Sequence, residues 1–136
     1  MTGSRRLEDI QAWQRARQLT RAVHEASSSG CFARDHALRD PIRRGAISIM
    51  ANMAEGLGRS GDREFLQFLA IAKGSAHEVA SHLHVALDQG YVTQEQFDEI
   101  SLRTGEVGRM LGGLNEYLRE SRMEGSRLRP SGADAD

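Results

Sequence analysis

Residues 93–118 read TQEQFDEISLRTGEVGRMLGGLNEYL, and one face of this stretch repeats at steps of three and four residues. Thr93 and Gln96 have the spacing of a capping box, which predicts where a helix begins. The repeating positions alternate strictly, as they do in helices that pack along a heptad seam. They are Phe97, Ile100, Thr104, Val107, Leu111, Leu114 and Leu118. The stretch therefore predicts a long helix with one buried face.

The same helical period predicts two helices in the first half of the chain. Residues 7–26 form the first, which ends at the serine-rich run 27–30. Asp40 as N-cap and Pro41 at the first helical position open the second. The alternative is an earlier start near His36, with Pro41 tolerated inside the helix.

A glycine-rich segment at residues 56–61, GLGRSG, ends the second helix. It matches the dinucleotide fingerprint GxGxxG letter for letter, but that fingerprint needs a preceding strand and a parallel sheet. Because a helix precedes it here, we interpret it as a helix-to-helix turn. Its backbone N–H groups, with Arg59 and Arg63, leave a weaker alternative, a site for one phosphate.

A third helix follows, capped by Ser60 or Asp62 and ended by Gly90. Only a few residues separate it from the fourth helix, which predicts that the two are antiparallel neighbours. Four amphipathic helices with short connections predict an all-α fold, an antiparallel up-down four-helix bundle. We expect a flexible N-terminus, the bundle and a disordered tail at residues 1–6, 7–122 and 123–136, respectively.

Four glycines interrupt the fourth helix: Gly105, Gly108, Gly112 and Gly113. Each costs a helix roughly 1 kcal/mol relative to alanine. Close approach of another helix would compensate, and that helix belongs either to the same chain or to a neighbouring one.

Composition excludes several classes of protein. The chain has 136 residues, 39% of them hydrophobic and 5% aromatic, which fits one soluble domain and disfavours base-stacking RNA binders and β-sandwiches. Neither a membrane-spanning run nor a secretory signal is recognisable, so a cytoplasmic location is expected. The single cysteine, Cys31, excludes an intramolecular disulfide and a cysteine zinc site.

Catalytic and metal-binding motifs in the sequence are incomplete. His77 and Glu78 resemble the opening of a zinc-protease helix, but Ser81 stands where the second histidine is required. Glu78 and His82 lie one turn apart and leave open a shared metal or a simple hydrogen bond. Cys31, expected in a loop, belongs to no catalytic motif. We therefore expect a protein that is not an enzyme and holds neither cofactor nor metal.

A line of polar residues marks the second helix. Ser48, Asn52 and Glu55 fall on one face because of their spacings of four and three. Ser75 and Glu78 form a similar line on the third helix. Because buried polar groups require partners, the pattern favours a structural hydrogen-bond network that sets helix register. A ligand or RNA site is the alternative.

The segment Arg43–Gly56, RRGAISIMANMAEG, resembles the signature of the proteins encoded in intervening sequences of bacterial 23S ribosomal RNA genes. The resemblance implies a four-helix bundle that assembles as a ring-like homopentamer, and it implies no reaction. Met50 stands where that family often has proline, and Pro41 where it often has glutamine. A related bundle, the accessory variability determinant of diversity-generating retroelements, is similar in architecture and binds nucleic acid and a reverse transcriptase. The chain also resembles the 23S rRNA intervening-sequence proteins in four further segments, at residues 9–16, 64–78, 88–92 and 110–114.

The net charge of −1 conceals an asymmetry, since residues 1–63 carry +4 and residues 64–122 carry −4. A basic half predicts contact with phosphate, or with the acidic half of another subunit. With the resemblance, this favours a non-enzymatic, oligomeric nucleic-acid-binding or scaffold protein that contacts structured RNA. The alternative is an adaptor that binds a protein partner. The expected RNA-phosphate contacts are Arg15, Arg17, Arg21, Arg43, Arg44, Arg59 and Arg63.

Overall fold

The computed structural model describes residues 10–59 and 61–128, with side chains described as far as Met123. Each element within these residues is a helix, so the all-α class is confirmed. The predicted flexible N-terminus at residues 1–6 lies outside the described residues. The helices are α1 Gln11–Ala26, α2 Gly30–Arg34, α3 His36–Leu57, α4 Asp62–Asp88 and α5 Gln94–Leu128.

The connection between α1 and α3 contains a helix that the sequence did not predict. α1 ends at Ala26 as expected, but it begins at Gln11 and not at Leu7, because its N-cap Ile10 is extended, with φ −87° and ψ 116°. The short helix α2 follows, and its Phe32 is buried in the core. Gly30 opens α2 in the left-handed region, with φ +66°, which glycine adopts without strain. Cys31 is therefore helical, not in a loop as expected, and it is exposed.

The prediction that Asp40 caps the second long helix is wrong. α3 begins at His36, because the side chain of Asp35 accepts a hydrogen bond from the backbone N–H of Leu38 at 3.2 Å. Pro41 lies inside the helix, as the alternative proposed, and its missing N–H removes a single intrahelical bond. Asp40 accepts from Arg39 Nε at 2.9 Å instead, and this contact lowers the pKa of Asp40 from its ordinary value.

The ends of α4 and the start of α5 follow local sequence signals. Gly61 is the N-cap of α4 without a side-chain bond, so Asp62 is its first residue and not its cap, while Ser60 lies outside the described residues. Gly90 ends this segment with φ +75°. The capping box of α5 is confirmed: Thr93 N–H donates to Gln96 Oε1 at 2.8 Å, and Gln96 N–H donates to Thr93 Oγ1 at 3.0 Å.

The last helix is longer than expected. α5 continues to Leu128, past residue 123, where the disordered tail was predicted to begin. The physical reason is local, because the first residue that blocks a helix after Arg122 is Pro130. Residues 129–136 of the predicted tail lie outside the described residues.

One core joins the four long helices. α1 packs on α3 and on α5, and α4 packs on the same two helices. The heptad face of α5 is confirmed, with Ile100, Val107 and Leu118 buried and Phe97 and Leu114 packed against them. The fold is therefore a helical bundle in which each long helix lies between two others.

Gly56 is a point of close approach whose replacement is expected to destabilise the bundle. An added Cβ would stand 2.8 Å from Phe65 and 2.9 Å from the Cβ of Phe68 on α4, too close for either helix to tolerate unmoved. Gly56→Ala should therefore lower the free energy of unfolding by about 1–3 kcal/mol. Gly113→Ala is the matched control, because a Cβ there meets nothing within 4 Å and should stabilise α5. Thermal unfolding followed by circular dichroism measures both; equal melting temperatures would contradict the prediction.

Candidate nucleic-acid interface

The arginines predicted to contact phosphate do not share one surface. Arg15 donates to Glu106 on α5 at 3.0 Å, and both side chains are partly exposed. Arg59 donates to Glu55 at 2.7 Å, and its guanidinium lies 5.2 Å from the ring centroid of Phe68. These contacts are surface ion pairs of modest strength, so they do not fix the two arginine side chains in one conformation.

The side chain of Arg43 is hydrogen-bonded to the C-terminal end of α1. Its Nε donates to the Ser27 hydroxyl at 2.8 Å, and its Nη2 donates to the Ser27 carbonyl at 3.0 Å. Ser27 is fully buried, and its hydroxyl donates in turn to the Val23 carbonyl at 2.7 Å. A cation at the C-terminus of a helix satisfies carbonyls that have no intrahelical partner. The structure thus gives Arg43 a structural role, and its contact with phosphate stays a prediction.

Three of the predicted arginines remain exposed on the neighbouring helices α1 and α3. Arg17 and Arg21 lie one turn apart on α1, and Arg44 lies on α3. The guanidinium of Arg17 lies 5.9 Å from the ring centroid of Trp13, near the outer limit of a cation–π contact. Arg63, the seventh prediction, is also exposed but lies on α4, where it borders a depression with Arg119.

The polar line on the second long helix is brought together only in part. The hydroxyls of Ser48 on α3 and Ser75 on α4 are 2.9 Å apart, and the Asn52 amide donates to the Ser48 hydroxyl at 3.0 Å. Glu55 points to Arg59 instead, and Glu78 is exposed, so the structure does not place these two carboxylates in the network. The three remaining residues link α3 to α4, which supports a structural role.

A second polar link, which sequence reasoning missed, holds the start of α3. The hydroxyl of Tyr91 donates to Asp35 at 2.8 Å, and the Tyr91 ring stacks on Phe32 with centroids 5.4 Å apart. The hydrogen bond to the Asp35 carboxylate raises the pKa of Tyr91 above its ordinary value of 10.0. No signal in the sequence pairs these residues, because 56 positions separate Tyr91 from Asp35.

The raised pKa of Tyr91 predicts a loss of stability in alkali. A group whose pKa is raised on folding stabilises the fold below its unfolded pKa, and that contribution disappears as the pH rises through the folded pKa. Tyr91→Phe should therefore be less stable than the wild type at about pH 8, and the difference should shrink above about pH 10. Urea unfolding across this range measures the difference. A gap that stays constant with pH would contradict the role of the hydroxyl.

The described residues offer little to a metal. No group of three or more His, Cys, Asp or Glu side chains comes together in residues 10–59 and 61–128. His77 and Glu78 are exposed, and Nδ1 of His82 is buried with no hydrogen-bond partner. Cys31 has Arg34 Nη2 3.5 Å from its sulfur.

In the part of the chain that the structure describes, no helix is both long and apolar enough to cross a membrane.

Fold and surface together define a small all-helical bundle protein. The chain belongs to the 23S rRNA-intervening sequence protein family, whose model matches residues 8–113. Its fold is similar to that of a Bacteroides thetaiotaomicron protein of unknown function from the S23 ribosomal protein family, with a TM-score of 0.71. The two share 22% identity over 77% of this chain and 95% of that one. No curated protein matches this chain.

Proposed function

We propose that this protein is a non-enzymatic RNA-binding protein of the cytoplasm, in which Arg17, Arg21 and Arg44 contact the phosphates of a structured RNA. The observation that carries the proposal is the exposure of these three side chains on helices that pack on each other. Arginine presents a planar fork of donors that suits phosphate, and phosphate contacts need no base-stacking platform. The low aromatic content of the chain is compatible with that mode of binding.

We further propose that the bundle is an antiparallel four-helix bundle that assembles as a ring, a homopentamer. Arg15 on α1 contacts Glu106 on α5, and Gln18 contacts Arg103, so numbers rise along one helix as they fall along the other. This order supports the antiparallel arrangement. In a ring, three arginines recur in each subunit, and weak contacts to one RNA add by avidity.

A protein adaptor is the second candidate function. Ile47 on α3 and Ile71 on α4 are about half exposed, at 48% and 51%. In this function, these exposed apolar side chains would pack against the protein partner. In this alternative, the arginines serve subunit assembly or a protein partner.

A salt titration separates the two functions. We would measure binding to a fluorescent RNA hairpin at increasing salt and follow the particle mass by light scattering. RNA binding through phosphates should weaken steeply with salt on a particle of constant mass. Absence of binding at low salt with the assembly intact would favour the adaptor. Dissociation of the assembly by salt would show that ion pairs join the subunits.

A further inference from the structure

A groove follows the seam between α4 and α5, and glycines form much of its α5 side. Gly105, Gly108 and Gly112 line it opposite Ala76 and Ala80, in a cavity of about 450 Å³. An added Cβ at Gly108 or at Gly112 would meet nothing within 4 Å. The described part of the chain therefore does not supply the close helix approach that would offset the helical cost of these glycines.

Basic side chains border this groove in the acidic half of the chain. The cavity adjoins a second one of about 490 Å³, with which it shares Lys73 and Gly112. A third of about 570 Å³ adjoins the second through Arg119. Residues 64–122 hold five Lys or Arg side chains, and four of them line these cavities: Lys73, Arg109, Arg119 and Arg122. Glu116 and Glu120 also line the second and third cavities, so the rim is purely basic only beside the glycines, at Lys73 and Arg109. An occupant that fits there is apolar where it meets the glycines and acidic where it meets these two side chains.

The chain itself carries a surface with those properties, which we name the α5 ridge: Glu95, Asp98 and Leu102. Their spacings of three and four place them on one face of the helix. Leu102 is 67% exposed, the highest value among the exposed large hydrophobic side chains of the described residues. Both acidic residues are exposed one and two turns before it.

We propose that the α5 ridge of one copy occupies the α4–α5 groove of a second copy. Leu102 then packs on Gly108 of its neighbour, and Glu95 and Asp98 face the basic rim at Lys73 and Arg109. A second copy fits because the alanine and glycine floor offers apolar contact to an exposed leucine, while Lys73 and Arg109 at the rim attract the carboxylates of the ridge. The same rim would attract phosphate, so RNA is the other occupant that the test distinguishes. The inference rests on the proposed assembly and adds the surfaces that form it.

The ridge and the groove adjoin on α5, since Gly105, which lines the groove, follows Leu102 by one turn. Leu102 and Gly108 nevertheless lie about 120° apart around the helix, so one copy's ridge and its groove can contact different neighbours. Such head-to-tail contacts are the kind that close into rings. The arginines proposed to contact RNA lie on α1 and α3, outside both surfaces. RNA binding and assembly are therefore separable by mutation.

The test compares two leucine substitutions on the same helix. Gly108→Leu fills the groove, while Gly113→Leu is the control, because Gly113 is exposed and does not line the groove. Light scattering over a dilution series gives the assembly constant, and circular dichroism gives the helix content. We expect Gly113→Leu to keep the wild-type mass and Gly108→Leu to weaken assembly at least about tenfold, with helix content retained.

Leu102→Asp provides an independent arm, since its side chain is exposed and its replacement leaves the core untouched. It should also weaken assembly. Wild-type mass for both Gly108→Leu and Leu102→Asp would overturn the proposal, as would equal loss of mass in the Gly113→Leu control. Gly108→Leu with wild-type mass but lost RNA affinity would show that the groove holds RNA instead. Loss of mass with no RNA binding by any variant would support the interface and reject the proposed RNA-binding function.

Discussion

Arg43→Ala is expected to lower the free energy of unfolding by about 2–3 kcal/mol. The side chain makes two charge-assisted hydrogen bonds to Ser27, and a bond to a charged group is worth about 1.5–3 kcal/mol. Because the guanidinium is only partly buried, the sum of the two is expected to stay near the value of one fully buried bond. Ser27 is fully buried, so its carbonyl loses a donor that solvent does not replace. Urea unfolding followed by circular dichroism measures the loss.

Arg44→Ala is the matched control for Arg43→Ala. It removes the same charge from the next residue of α3, but Arg44 is exposed, so its loss should change stability by less than about 0.5 kcal/mol. Arg43→Lys should recover only part of the stability, because an ammonium group cannot reproduce the forked contact. Equal stability of Arg43→Ala and Arg44→Ala, with RNA affinity lost only in Arg43→Ala, would return Arg43 to the RNA interface.

Arg43 and Arg44 also show how far the sequence alone predicts which arginines are available at the surface. They have the same chemistry and are adjacent in sequence. Their roles diverge because the end of α1 comes within reach of Arg43, through a contact that spans 16 positions. The prediction that arginines are enriched on the first half of the chain needs only composition. The choice of which arginines stay available requires the tertiary structure.

Some of the helices follow from local sequence patterns, whereas the limits of others depend on contacts between residues that are distant in sequence. α5 was predictable, because its heptad face and its Thr93–Gln96 capping box are local patterns. The start of α3 was not, since Pro41 is a strong local signal for a start at Asp40. The residue that caps the helix instead, Asp35, is also held by Tyr91, which lies in the connection between α4 and α5. α2 escaped prediction because five residues are too few to show a helical period.

Joint replacement of Arg17, Arg21 and Arg44 by alanine is expected to weaken RNA binding at least about 100-fold, the effect of about three lost contacts in one subunit. An exposed ionic contact is worth roughly 1 kcal/mol, and 1.4 kcal/mol corresponds to a tenfold change in affinity. The dependence of log affinity on log salt should also flatten by about two to three for each subunit that contacts the RNA, since each phosphate contact contributes nearly one unit. Fluorescence anisotropy with an RNA hairpin over a salt series measures both quantities.

A charge-matched control determines whether those positions or the net charge matter. Replacing Arg15, Arg34 and Arg103 by alanine removes the same charge, but Arg15 and Arg103 contact α5 and α1 partners and Arg34 lies on α2. If Arg17, Arg21 and Arg44 contact phosphates, the control variant should retain most of the RNA affinity and the same dependence of log affinity on log salt. If both triple variants weaken binding equally, RNA responds to the overall field of the protein and not to a defined interface. Particle mass should stay constant in both, because neither set lies in the α4–α5 groove or on the α5 ridge.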